Sequence, residues 1–379
     1  MTRETARTWA EIHLDRLAEN YRNIRAGLTA DTKYMALVKA NAYGHGAVPV
    51  AKKLAELGAD YMAVACLEEG IQLREAGITT PILILGYTHP QFTQELLDYE
   101  ITQTVYDTGL AEAYSKIAAA QEKRLKIHLK ADTGMSRLGF LCDAGYVARS
   151  AEEMAKIAAL PGLEAEGIFT HFAVADSAGE EEQNYSHQQI SRYNNLCRLL
   201  EIRGVPIPIH HAAASAAMLN YPQARFNMVR PGIIQYGLHP DPCTQSKLAL
   251  RPVMEVKSRV ASIKSMPQGT TISYGRTYTL ERDSLVAVVP MGYGDGLFRL
   301  LSNCQEMLIR GQRAKQIGRV CMDMCMLDIT DLEGVCIGDE VTVFGEELPL
   351  EEKAQAVGTI TYEMLCDISP RVPRVYVEE

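Results

Sequence analysis

A chain of 379 residues that is 47% hydrophobic can bury a large core, and its length favours two domains. Its net charge of -9, with no dense Lys/Arg run or basic-aromatic stripe, argues against a nucleic-acid or anionic-membrane surface and leaves small molecules or other copies of itself as partners. Nine cysteines without a C-x-x-C pair or a Cys/His ligand spacing fit reduced thiols of a cytosolic protein better than a disulfide or metal framework.

The opening residues, MTRETARTWAEIHLD, are charged and lack an apolar signal-peptide core, and no apolar run reaches bilayer length. A soluble, non-secreted chain is expected. TWAEIHLD reads as a strand, and pattern alone does not say which domain it joins. From Lys33 to about Gly237, eight short apolar runs follow in order: KYMALVKA, YMAVA, PILILG, ITQTVYD, LKIHLKAD, LEAEGIFTH, IPIHHAAAS and FNMVRPG. Between them lie amphipathic patterns such as AVPVAKKLAELG and SAEEMAKIAAL, with apolar residues three and four apart and Gly or Pro at their ends. The alternation predicts an α/β fold, a (β/α)8 TIM-type barrel over residues 1–240, from which residues 1–14 can depart as a strand of the second domain.

After GLHPDPC the texture changes. PVMEVKSRVASI, LVAVVPMG, EMLIRG, GRVCMDMCMLDI and DEVTVFG read as strands separated by turn residues, and they predict a mainly β domain over 241–379. Cys321 and Cys325 read as strand residues within it, and Met322 reads as core. One helical pattern, LEEKAQAVGTITYEMLCDI, follows near the end.

If the barrel is right, its functional face is the set of strand ends. That set is unusually polar. It holds Lys39 and Tyr43 after the first strand, the stretch Lys130 to Arg137 after the fifth, His171 after the sixth, His211 and Ser215 at the seventh, and Arg230 with Gly232 after the eighth. Cations converging on one mouth need a counter-anion, and RPGI offers backbone N–H groups where barrels commonly bind phosphate. A reactive lysine beside a phosphate pocket points to pyridoxal phosphate. An aldolase-type barrel with a covalent lysine would show much the same set.

Eight motifs occur in order: ALVKANAYGHG, KADTGMSRLG, THFAVAD, HHAAASAA, RPGIIQYG, SYGRTY, GYGDG and GRVCMDM. Through them the chain resembles the bacterial alanine racemases of the pyridoxal-phosphate barrel type over essentially its whole length. The resemblance implies interconversion of L- and D-alanine, hence D-alanine for peptidoglycan, in a homodimer with shared active sites. It makes Lys39 the cofactor-bearing lysine and one acid/base group, and Tyr274 of SYGRTY the other. Tyr43, Ser215, Gly232 and Ile233 become phosphate-side contacts, Arg230 the partner of the pyridine nitrogen, and His211 its brace. His171 joins the hydrogen-bonded set around the ring. Arg137 becomes the holder of the substrate carboxylate, and Lys130 resembles the lysine that is carbamylated in many family members, against the plainer reading of a lysine paired with Asp132. Met322 and Asp323 match a pair reaching a neighbouring subunit's substrate pocket, and Tyr293 a substrate-channel residue.

Two positions depart from the pattern: Ala214 stands for an asparagine, and Pro370 for a tyrosine expected to touch the phosphate and to influence alanine against serine. A serine-preferring or broad racemase is the alternative within the family. A non-catalytic pyridoxal-phosphate-binding barrel would need neither SYGRTY nor a second domain.

Overall fold

The computed structural model of the chain describes residues 3–378, the side chains of Gln245 and Ser246 apart. The first strand, β1 (Thr8–His13), does not enter the barrel. After the helix Leu14–Ala26 come β2 (Lys33–Leu37), β3 (Tyr61–Val64), β4 (Ile82–Ile84), β5 (Ile101–Val105) and β6 (Leu125–Asp132), with a two-residue strand β7 (Phe140–Leu141) beside the end of β6. The series continues with β8 (Leu163–Phe169), β9 (Ile209–Ala214) and β10 (Met228–Arg230). Pairing of β10 with β2 at Met228↔Lys33, and of β5 with β6 at Gln103↔Ile127, closes eight parallel strands into a ring. Every one of the eight apolar runs supplies one of these strands.

Barrel strands are covered on both faces, so their residues are buried whichever way they point. Tyr61–Val64 and Ile82–Ile84 are buried throughout. The second sheet is built on the opposite rule. Along β11 (Met254–Arg259) buried and half-buried residues alternate, as they do where one face of an antiparallel sheet packs on the core.

That sheet adds β12 (Ser262–Met266), β15 (Ser284–Val289), β16 (Glu306–Ile309), β17 (Gln312–Ile317), β18 (Cys325–Asp328), β19 (Glu340–Phe344) and β20 (Arg374–Val377), while β13 (Thr271–Ile272) and β14 (Tyr278–Thr279) form a small hairpin. β1 lies between β11 and β20, antiparallel to the first through Ala10↔Val256 and parallel to the second through Ala10↔Arg374. The strand whose home pattern left open thus belongs to the second sheet.

Several expectations change. PVMEVKSRVASI is two strands, β11 and β12. Of GRVCMDMCMLDI only Cys325–Asp328 is strand; Cys321 lies in a tight loop whose N–H donates to the Met324 carbonyl (2.9 Å). Met322 is 54% exposed, not core, because that loop carries it outward. The last helical pattern splits into Leu350–Val357 and Thr361–Cys366, broken at Gly358, whose φ of 72° no right-handed helix accommodates. β17 and β20 had no counterpart among the expected strands. Among the described residues, no helix is long and apolar enough to cross a membrane.

Candidate active site

The apolar run of β2 ends at Leu37, and Lys39 follows at the carboxyl end of the barrel. Beyond it the backbone does something rare. Ala40, Asn41, Ala42 and Tyr43 have φ of 52°, 53°, 54° and 51°, one turn of left-handed helix. Such a conformation costs about 1–2 kcal/mol per non-glycine residue. It is held in place by specific partners: the Ala40 N–H donates to Glu69 (2.6 Å), and the Asn41 side chain accepts from the Ala47 N–H (2.8 Å). The buried Tyr43 ring packs against Tyr236 at 5.1 Å and Tyr362 at 6.0 Å. Strain held by packing around a reactive group is a mark of functional sites.

Tyr43 points toward the loop after β10. There the Gly232 N–H donates to Ser215 Oγ (2.9 Å). A Cβ on residue 232 would sit 3.0 Å from Tyr43 Oη and 3.6 Å from Ser215 Oγ, so the glycine keeps open a space faced by two hydroxyls. Ile233, fully buried, starts the following turn. Ser215 follows the seventh barrel strand and Gly232 the eighth, where TIM barrels place phosphate groups. The residues fit the phosphate end of pyridoxal phosphate.

Arg230, at the end of β10, is buried and heavily bonded. Its Nη1 donates to Nδ1 of His211 (2.9 Å) and to the His211 carbonyl (3.0 Å), and its Nη2 to the carbonyls of Thr170 (2.8 Å) and Ala212 (2.9 Å), with His171 Nδ1 at 3.3 Å. Its Nε–H has no partner among the described residues, a free donor suited to a pyridine nitrogen. Burial pushes the guanidinium down to about 10, so it still carries its charge at neutral pH.

The mouth is a collection of cations. Burial, with the Arg137 guanidinium next, holds the Lys39 amine below the ordinary lysine value. Burial and then Arg230 and Arg137 hold Lys130 well below it. The Lys130 Nζ lies 4.3 Å from the centroid of the Phe169 ring, and Asp132 acts on it through its charge without a direct ion pair. Asp132 instead accepts from the N–H groups of Gly134 (2.9 Å) and Ser136 (3.0 Å), shaping the loop that carries the exposed Arg137. His171 is kept neutral by burial and by Arg230, Lys130, Arg137 and Lys39. Isolated buried charge is costly unless paired, so this mouth suits anionic ligands.

Lys39, Tyr43, Lys130, Arg137, His171, His211, Ser215, Arg230, Gly232 and Ile233 all lie at this end of the barrel. Tyr274, Tyr293, Met322 and Asp323 do not join them. Tyr274 is 69% exposed in the short turn between β13 and β14, and the charges acting on Lys39 come from Arg137, Glu69, Cys366 and Arg230. Yet these four form a second assembly. Ser273 Oγ donates to the Arg319 carbonyl (2.7 Å), the Tyr293 N–H to that of Cys321 (3.0 Å), and the Gly294 N–H to that of Met322 (2.8 Å). Arg371 donates to Asp323 (2.7 Å) and to the buried Asp295 (2.8 Å).

Sequence reasoning missed Tyr362, the aromatic neighbour of Tyr43. It looked for an extra hydroxyl at position 370 instead. Ser369 and Arg371, on either side of Pro370, bond to Asp295 in the β domain, so that segment serves the second assembly while Tyr362 stands at the first. It also missed His128 and Glu166, although His128 shares a strand face with Lys130 by the period of two.

Comparison with known proteins agrees with this geometry. The family model "Alanine racemase, N-terminal domain" matches residues 12–240, and "Alanine racemase, C-terminal domain" matches residues 253–376. The alanine racemase of Desulforamulus reducens is 44% identical over 371 residues, covering 97% of this chain and 98% of its own. That of Methanococcus maripaludis is 45% identical over 374 residues, covering 97% and 98%. Among solved structures, the alanine racemase of Clostridium difficile 630 superposes with a TM-score of 0.94 at 42% identity, covering 99% of this chain and 97% of that one. The alanine racemase of Bacillus anthracis with bound L-Ala-P gives 0.91 at 35% identity, covering 98% and 95%. A likeness that runs through both domains, at this identity and coverage, means that the chain belongs to the alanine racemase family.

Proposed function

We propose that the protein interconverts L- and D-alanine with pyridoxal phosphate held in the barrel mouth, and that each mouth is completed by the β domain of a second copy. The reading is carried by one convergence: a reactive-lysine position, an open two-hydroxyl cradle at Gly232 and a buried guanidinium with a free Nε–H meet at one barrel end of a family member. When bound, the cofactor supplies the electron sink that lets a proton leave the substrate α-carbon.

Racemisation then needs an acid/base group on each face of that carbon. Lys39 serves one face: burial and the neighbouring Arg137 lower its affinity for protons, which suits Nζ to take a proton and return it. Tyr274 of the partner subunit serves the other through its phenol oxygen. Arg137 holds the substrate carboxylate by its planar fork. Arg230 donates a hydrogen bond to the ring nitrogen without surrendering its proton, since its pKa of about 10 far exceeds that of a pyridine. A donor that keeps its proton there would make the bound ring a weaker electron sink. Tyr43, Ser215, Gly232 and Ile233 hold the phosphate. Lys130, whose amine burial and Arg230 hold well below the ordinary lysine value, would as a carbamate orient Arg137.

The shared site is supported by the exposed apolar face of the β domain. Tyr274, Tyr293, Leu300 and Met322 are all exposed on this domain, large apolar side chains that a second copy could cover. The division of labour follows residues 1–240 and 241–379, with the product available for peptidoglycan. Purified protein incubated with L-alanine and then L-serine, with and without added pyridoxal phosphate, tests the whole reading by circular dichroism. Cofactor-dependent loss of the alanine signal is expected, with a slower loss or none for serine. A steady alanine signal overturns it.

A further inference from the structure

Beneath Arg230 the barrel interior is not filled with hydrocarbon. His211 Nε2 lies 2.8 Å from Nδ1 of His128 on β6, and His128 Nε2 lies 3.4 Å from Glu166 Oε1 on β8. Glu166 also accepts from Tyr61 Oη and from Thr102 Oγ1 (3.2 Å), and its other oxygen is 3.4 Å from Lys126 Nζ, which reaches solvent at the far end of β6. A line of polar contacts thus runs from the mouth down the barrel axis.

The direction of this line is fixed by one fact: a guanidinium has donors and no acceptor. Arg230 must donate to His211 Nδ1, so a neutral His211 carries its proton on Nε2 and donates it to His128 Nδ1. A neutral His128 then carries its own proton on Nε2, the nitrogen nearer Glu166, where the 3.4 Å approach is a charge contact rather than a formed hydrogen bond. Both imidazoles are fully buried, and the charge of Arg230 beside them disfavours a second proton on either. The two hydrogen bonds of the series, Arg230 to His211 and His211 to His128, both run from the cation toward the side of the anion.

The strands are shaped for it. A Cβ on residue 167 would lie 2.5 Å from two atoms of the His128 ring, so only glycine leaves room for that imidazole. His211 is stacked on Phe169 with centroids 4.6 Å apart and planes 8° from parallel. Both rings are tightly enclosed on at least one side.

We infer that His128 and Glu166 are positioning residues of the racemase reaction, fixing the tautomer of His211 and thereby the orientation in which Arg230 offers its Nε–H. The inference rests on the reading that Arg230 meets the cofactor ring. It adds that the ring's electronic environment is set from the opposite end of the barrel, through two neutral imidazoles.

The test uses the holoenzyme with 15N-labelled histidine, the two resonances assigned through His128→Gln and His211→Asn. Both imidazoles should be neutral with the proton on Nε2 between roughly pH 6 and pH 9, spanning the ordinary histidine value. A proton on Nδ1 of either, or an imidazolium, overturns the relay without any activity measurement, so a variant that fails to fold does not leave the matter open. The second readout is kinetic and spectroscopic. His128→Leu and Glu166→Gln should lower kcat by about tenfold, with KM changed by less than about twofold, and alter the visible spectrum of the bound cofactor. His128→Gln can accept from His211 and donate to Glu166, and should recover most of the loss. A folded His128→Leu enzyme with unchanged kcat and spectrum overturns the positioning role. Arg230→Lys separates the two layers: an unaltered cofactor spectrum there would refute the placement of Arg230 at the ring, whereas the tautomers judge the relay itself.

Discussion

The barrel mouth and the open face of the β domain are deficient in opposite ways. In the mouth, Lys39, Lys130, Arg137 and Arg230 are gathered with too little negative charge to balance them, and burial weakens the hold of Lys39, Lys130 and Arg230 on their protons. On the β domain, Tyr274, Tyr293, Leu300 and Met322 stand in water although they are apolar or aromatic. The mouth lacks anions and the β face lacks cover. The two deficiencies are the ones the proposed shared site would satisfy, by ligands on one side and by another copy on the other.

The sharpest way to break that comparison is to disable one half at a time. Lys39→Ala and Tyr274→Phe should each reduce turnover by about 10²–10⁴-fold or more, the usual worth of an acid/base group. Mixing the two variants under conditions that exchange subunits should restore activity, because one site of each mixed dimer receives Lys39 from one chain and Tyr274 from the other. Verified exchange without recovery would return the tyrosine to its own barrel.

A charge placed on the open face is the next test. Met322→Glu should leave the chain folded and its cofactor absorbance intact, since burying an unpaired carboxylate is costly only where a second copy covers it. Sedimentation should show a monomer and the activity should be lost. A stable, active dimer would mean that another surface joins the copies.

Within the mouth, Gly232→Ala puts a methyl group 3.0 Å from Tyr43 Oη and should weaken retention of pyridoxal phosphate by about tenfold, measured by equilibrium dialysis. Tyr362→Phe should cost less, about one hydrogen bond or ~0.5–1.5 kcal/mol. If Gly232→Ala retains the cofactor as well as the unaltered protein, the cradle is elsewhere.

The smallest effect is one of pH on the barrel floor. Burial alone would raise the Glu166 carboxyl, but the nearby His128, the hydrogen bond from Tyr61 and the Lys126 charge win and hold it at about 2. A carboxylate with a depressed native pKa contributes stability above its unfolded value of about 4.3, and the contribution is lost as pH falls toward the native value. In urea denaturation, Glu166→Gln should therefore be less stable than the unaltered protein near neutrality, with the gap closing between about pH 4.3 and about pH 2. A constant gap would mean that the carboxylate is not charged in the fold.

How much of this could be read from residues alone follows from which signals are local. All eight barrel strands were legible because double-sided burial makes each a short continuous apolar run. Lys39 was legible because it ends such a run. The left-handed turn was not, since nothing in Ala40–Tyr43 except Asn41 favours positive φ; tertiary contacts from Glu69, Tyr236 and Tyr362 impose it. Met322 misled because a methionine among strand formers reads as core, and only the Cys321–Met324 turn shows that it points out. Tyr362 was hidden inside a helical pattern whose break at Gly358 went unread. The relay below Arg230 escaped because its members lie on three strands, and single-strand periodicity says which face a residue takes but not whom it meets there.

The position of β1 bears on how the molecule is made. Its two neighbours, β11 and β20, are separated from it by some of the longest stretches of chain in the protein, and one of them ends at Val377. A nascent chain emerging from the ribosome can close its barrel once β10 has appeared, while β1 waits with both edges bare. The β11 edge is satisfied later and the β20 edge later still. Barrel closure therefore precedes completion of the second sheet, whose strand β20 is the last of its members to appear.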